Sequence, residues 1–312
     1  MNAEEGKKTG PLGKIVGSLP PGRYDSHIHV RVEEPDPETL KKVFDAAGLA
    51  GGCILSISPE DWKFSGKQPP SPEKAMDDVI AWASGSPTIY PFYWIDPLRP
   101  DACDLVDMAV EKGIYGFKVI RNDAPPCDMQ TMPVYRKIAS VNRPITFHSG
   151  ILWDACSSSE YMRPANWEPL VTVPRLRFAL AHVSWPWCDE CIAVYGKLLN
   201  AMLRRGTEVP EMFIDITPGT PKNYRSRVLH DLYETGYDLL DHVQFGTDCY
   251  TDAYNVDWMR DWMVRDDGIY AELGLGKREV DGIYRKSFER YLFGGGGERT
   301  APTFDGLAKK IG

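Results

Sequence analysis

The sequence predicts one α/β domain, a parallel (β/α)8 barrel of the TIM type, and three observations predict it. Eight short apolar runs alternate with amphipathic stretches from Tyr24 onward. Those runs are nearly continuous in apolar residues, as strands covered on both faces must be. The 312-residue chain, divided into an arm (1–22), a barrel (23–294) and a tail (295–312), leaves close to the ~250 residues such a barrel takes.

The arm is charged at first and then rich in Gly and Pro. The first strand is YDSHIHV (24–30), followed by a helix over 38–47. GCILSIS (52–58) is the second, and its helix (72–83) opens on Ser71-Pro72-Glu73, an N-cap, a first-turn proline and an acidic first turn. IYPFYWI (89–95) precedes a helix over 101–112, YGFKVI (115–120) one over 133–141, and PITFHSG (144–150) the longest loop, 150–170. LRFALAHV (176–183) leads to a helix over 187–204, MFIDIT (212–217) to 224–236, and HVQFGTD (242–248) to 255–264. The glycine run 294–297 reads as a linker. An open doubly wound sheet would want a glycine-rich phosphate loop after the first strand, where this chain has HIHVRVEEPD.

Composition narrows the function. With 36 Lys and Arg against 44 Asp and Glu, a net charge of −8 provides no broad basic surface for nucleic acid or an anionic membrane. No run of about 18 apolar residues occurs, and the first residues lack an apolar run of signal-peptide length. Seven cysteines in a chain too large to need staples read as reduced packing residues. The expectation is a cytoplasmic protein acting on a small molecule, its oligomeric state left open, a homo-oligomer included.

A barrel builds its active site at the carboxyl ends of its strands. Four of the six histidines fall there: His27 and His29 on the first strand, His148 on the fifth and His182 on the sixth. Asp25 and Lys118 lie on the first and fourth strands, and Asp248 ends the eighth. Residues two apart on a strand share a face, so His27 and His29 both point to the barrel axis. A His-x-His pair with two further strand-end histidines and an aspartate marks a metal site. Imidazole and carboxylate donors suit zinc, with manganese or iron as alternatives.

DSHIHV, FHSG, LAHVSWPWCDE, FGTD and the terminal YRKSFERYLFG resemble the amidohydrolase superfamily, and within it the amidohydrolase-2 group of metal-dependent TIM barrels. The resemblance spans about residues 23–294. The group includes hydrolases, lactonases and non-oxidative decarboxylases related to aminocarboxymuconate semialdehyde decarboxylase. The resemblance implies one divalent ion ligated by His27, His29, His148 and Asp248. It makes Asp248 also the general base toward water and His182 the residue that stabilises or protonates the reacting group. Lys118 is then a substrate-facing cation, with a carboxylated bridging ligand and a core lysine as alternatives.

Other features weigh less. Cys188 and Cys191 have a redox-pair spacing at a helix start but read as packing thiols. His230 and His242 read as structural or surface residues. The loops at the mouth carry Trp62, Lys63, Arg99, Arg121, Trp153, Tyr161, Arg163, Trp185, Trp187 and Tyr250, which suggests a small anionic substrate. Lys118, Arg121, Trp153 and Trp185 are its candidate contacts, and loop 150–170 a candidate lid. The expected activity is metal-dependent hydrolysis of an ester, lactone or amide. The alternatives are non-oxidative decarboxylation of a small carboxylated substrate, aromatic ones included, and a barrel that only binds.

Overall fold

Residues 18–58, 66–153 and 159–294 are described by the structure, a computed structural model. The strands are β1 (Arg23–His29), β2 (Leu49–Leu55), β3 (Ile89–Trp94), β4 (Gly116–Val119), β5 (Pro144–Phe147), β6 (Arg177–Leu180), β7 (Glu211–Asp215), β8 (Val243–Gln244) and β9 (Cys249–Tyr250). Every pairing is parallel and the order is β8-β7-β6-β5-β4-β3-β2-β1-β9. β8 and β9 are the two ends of one eighth strand, the first paired with β7 and the second with β1. Between them, Ser26 N donates to Phe245 O (3.0 Å) and Asp248 N to His27 O (3.0 Å), which closes the barrel.

The connecting helices are α1 (Pro37–Ala47), α2 (Pro72–Ala83), α3 (Ala102–Lys112), α4 (Met132–Ser140), α5 (Cys188–Arg205), α6 (Arg225–Glu234) and α7 (Val256–Glu272). Their starts are chemically marked: Asp36 and Ser71 cap α1 and α2 through Thr39 N and Lys74 N, each with a proline in the first turn. After α7 the chain passes through α8 (Lys277–Asp281) and a π-helical turn (Gly282–Lys286) into α9 (Ser287–Phe293). α7 runs eight residues past the expected 264, to Glu272, because Trp262, Met263, Ile269 and Tyr270 continue its buried face.

Two apolar layers result. Leu40, Phe44, Val79, Ile138 and Leu199 pack the helices on the outside of the strands. Tyr24, Cys53, Tyr90, Phe92 and Phe213 fill the interior, together with Phe288, Tyr291 and Leu292 of α9. α9 is held by Arg177, whose Nε donates to Tyr291 O (2.8 Å), and by a Thr146–Tyr291 hydroxyl bond (2.8 Å). Tyr24 packs inward against Phe288, whereas Ile28, of the same parity, belongs to the outer layer. An irregularity in β1 between Asp25 and Ile28 accounts for the change of face, and it leaves His27 and His29 together on the axis.

Residues 159–172 of the loop expected to form a lid are mostly packed, with Met162, Trp167 and Leu170 buried and Trp167 stacked on Phe147 at 4.0 Å. His242 is buried against Glu211 (3.1 Å), and His230 pairs with Glu234 (2.8 Å) on α6, as their structural reading requires. Among the described residues, no helix is long and apolar enough to cross a membrane.

Candidate metal centre

At the carboxyl end of the barrel a cavity of about 280 Å³ is lined by His27, His29, Lys118, His148, His182 and Asp248, with Trp153 and Trp185 at its edge. Its centre is a group of three donors. His27 Nε2 and His29 Nε2 stand 3.1 Å apart, and Asp248 Oδ1 lies 3.0 Å from His29 Nε2 and 3.6 Å from His27 Nε2. Within this group all donor atoms fall within 4.8 Å of one another.

The tautomer of His27 follows from its other side. Nδ1 faces Asp215 Oδ2 at 2.6 Å, so Nδ1 carries the proton and Nε2 presents its lone pair to the group. Burial, then the Lys118 ammonium 3.2 Å from Nε2, push the His27 pKa down to about 4. His27 is a neutral imidazole at physiological pH. Burial likewise lowers the pKa of His148 and His182. Burial alone would raise the Asp215 carboxyl, but the adjoining His27 ring and its hydrogen bond outweigh it. Enclosure also opposes the charge on Asp248, and the hydrogen bond from His29 with the nearby His182 ring outweighs it, holding that carboxyl well below its usual range. Two imidazole nitrogens and a carboxylate oxygen that converge on one point fit a divalent cation, which would displace the proton His29 Nε2 shares with Asp248.

Local backbone chemistry places these groups. Asp25, wholly buried at the start of the motif, accepts from His27 N (3.1 Å), Thr247 N (3.0 Å), the Thr247 hydroxyl (2.6 Å) and the Tyr254 hydroxyl (2.7 Å). It clamps β1 to the turn that carries Asp248. Gly246 lies in that turn, where a Cβ would come 2.2 Å from Thr217 Oγ1 and 2.8 Å from His27 Cβ. Burial pushes the Asp25 pKa up to about 7 despite these four donors.

His182 differs from its sequence reading. β6 ends at Leu180, so strand parity does not orient this residue. It sits in a short turn, Ala181–Ser184, where His182, Val183 and Ser184 all have positive φ (61°, 43° and 56°). For the β-branched Val183 that is a strained conformation, of the kind that concentrates at functional sites. The turn delivers the His182 ring between those of His27 (5.4 Å between centroids) and His148 (5.0 Å).

His148 follows β5 and lines the cavity, but its nitrogens lie outside the three-donor group. Its Nε2 faces Ile151 O at 3.4 Å, and its ring packs on His182. Lys118, 1% exposed on β4, faces the donors rather than the mouth. Trp153 is 79% exposed at the entrance, and Trp185 is half-buried. Arg121 is not among the residues lining this cavity: it lines a neighbouring one and pairs with Asp123. Arg99 pairs with Asp101 (2.8 Å) and Arg163 with Glu190 (2.6 Å), so the mouth arginines do not converge on the donors. Trp62 and Lys63 lie outside the described residues. Cys188 and Cys191 are buried, and burial pushes their thiols up to about 12, which suits packing rather than redox chemistry. Sequence reasoning passed over Asp215, although its place at the end of the seventh strand was a usable signal.

No protein-family model and no curated protein sequence matches the chain. Solved structures do. A protein from Lactobacillus casei described as a metal-dependent hydrolase is similar at a TM-score of 0.54 and 13% identity, over 88% of this chain and 95% of that one. Amidohydrolase 2 from Bifidobacterium longum subsp. infantis is similar at a TM-score of 0.52 and 14% identity, over 86% of this chain and 98% of its own. At such identities the likeness establishes the fold alone, a (β/α)8 TIM barrel shared with these two proteins.

Proposed function

We propose that the protein is a metal-dependent hydrolase of a small ester, lactone or amide. The observation that carries this reading is the convergence of His27 Nε2, His29 Nε2 and Asp248 Oδ1 on one point at the carboxyl end of the barrel. These three would hold a divalent ion, zinc first among the candidates, with His148 as a fourth protein ligand. When bound, the ion supplies Lewis acidity that polarises a carbonyl and makes water ionise near neutral pH.

The chain's own groups supply the rest. Asp248 stays ionised beside His29, so its carboxylate is available to take a proton from the attacking water. His182 Nδ1 faces Thr217 O at 3.4 Å, which leaves Nε2 as the nitrogen able to stabilise or protonate a substrate oxygen. Lys118 adds a positive charge to the floor of the cavity, and Trp153 and Trp185 border its entrance.

Elemental analysis of protein purified without chelator, followed by a panel of lactones, esters and carboxylated aromatics, tests the reading. One metal per chain and hydrolytic turnover are expected. His29→Ala should lose most of both while the barrel still folds. Release of CO₂ without hydrolysis would replace the proposal with a decarboxylase on the same site. Full metal and turnover in His29→Ala would overturn the site itself.

A further inference from the structure

Beside the donor cavity lies a second one, of about 390 Å³, within the size range of small-molecule sites. The two share Trp94 and Ile120 as lining residues. The second cavity is mixed in polarity, with an apolar and partly aromatic wall of Pro70, Tyr93, Trp94, Leu98 and Ile120. Four charged side chains also line it, and three are accounted for locally. Arg99 is held by both carboxylate oxygens of Asp101 at 2.8 Å, Asp96 accepts from Leu98 N at 2.9 Å, and the Asp123 side chain is 68% exposed to water.

Arg121 is different. Its side chain is only 7% exposed, and its Nη1 donates to the rim residue Asp123. Its Nε is buried with no hydrogen-bond partner among the described residues. A buried guanidinium normally has its donors satisfied, since leaving one unmet in a low-dielectric site is costly. Its fork of donors matches a carboxylate. A guanidinium that lines a cavity with an aromatic wall, and whose ion-pair partner is a water-exposed rim carboxylate, is complementary to an aryl carboxylate: the ring against the aromatic wall, the acid on the cation.

We propose that this second cavity is an acid-binding subsite in which Arg121 anchors the carboxylate of an aryl carboxylate. On the hydrolase reading above, the subsite selects substrates whose acid end rests on Arg121 while the scissile bond reaches the donors beyond Trp94. Binding of the acid itself does not depend on that reading.

The test separates the two. Benzoate and its neutral isostere benzamide are titrated into the purified, metal-loaded protein by calorimetry. Benzoate should bind at least about tenfold tighter than benzamide, as a charge-assisted hydrogen bond implies. Arg121→Gln should abolish that preference. Asp123→Asn, at an exposed position, removes the carboxylate paired with Arg121 Nη1 and should tighten benzoate several-fold. Both variants should keep the wild-type metal content. Equal binding of benzoate and benzamide would overturn the proposal. So would benzoate binding that disappears with the metal but ignores Arg121→Gln and Asp123→Asn, since it would place the acid on the donors. A benzoate preference that follows Arg121, in a protein that hydrolyses nothing in the panel, would keep the subsite and reject the hydrolase.

Discussion

Asp215→Asn is the most informative single change, because it alters a proton position rather than a ligand. In the native site Asp215 Oδ1 accepts from Thr217 N (2.7 Å) and the Thr217 hydroxyl, while Oδ2 accepts the hydrogen bond from His27 Nδ1 at 2.6 Å. An asparagine must keep its oxygen toward Thr217, where two donors point, and so turns its NH₂ toward His27 Nδ1. His27 then has to accept at Nδ1 and carry its proton on Nε2, aimed into the donor group and unable to ligate. Replacing such an outer partner costs about 10–100-fold in metal affinity. The bond here is short, and both partners are buried, with side chains 1% and 3% exposed. The upper end applies: roughly 100-fold, or about 2.7 kcal/mol. Competition with a chelator of known affinity reads the loss, and long-range ¹H–¹⁵N spectra of the imidazoles read the tautomer. Metal affinity within threefold of wild type, with His27 still protonated at Nδ1, would refute the reasoning.

Other predictions follow from the same geometry. His182→Ala should retain the metal and lose at least about a hundredfold in kcat, the typical cost of removing one such group; metal lost together with activity would make His182 a ligand. Cys188→Ser with Cys191→Ser should leave turnover within a few-fold, and a thiol reagent near neutral pH should label neither native cysteine until the protein unfolds, since both thiols sit near pKa 12. Asp266→Asn should destabilise the fold by about 3–5 kcal/mol in a urea titration, because it strands the buried Arg225 guanidinium that Asp266 holds at 2.9 and 2.7 Å; a loss below 1 kcal/mol would show that the pair is not buried as described.

Much of this protein is written in local chemistry. Pleat period and strand-end composition placed His27, His29, Lys118, His148 and Asp248 around one cavity, because alternation along a strand and the polarity of a parallel barrel are short-range rules. The helix start at Pro72 was legible for the same reason: capping chemistry lies within four residues. What reads poorly from sequence is whatever depends on which strands become neighbours. Arg121 belongs to the mouth in sequence, yet its cavity is set by the packing of β3 against β4, with Trp94 opposite Lys118. His182 looked like a strand residue because its run stays apolar through Val183; the left-handed turn that aims it is maintained by the packing around it, including Gly219, where a Cβ would come 2.7 Å from His182 Cβ.

The sequence by itself therefore determined the barrel, the order of its strands and the types of donor at its mouth. Only the tertiary structure decided how those donors are wired. Asp25 meets Thr247 across 222 residues because closure makes the first and last strands neighbours, and Asp215 on β7 meets His27 on β1 across 188 because closure turns both toward one interior. A hydrogen bond acts over about 3 Å whatever the separation along the chain, so the protonation state of His27 is a property of closure, and no local window of sequence contains it.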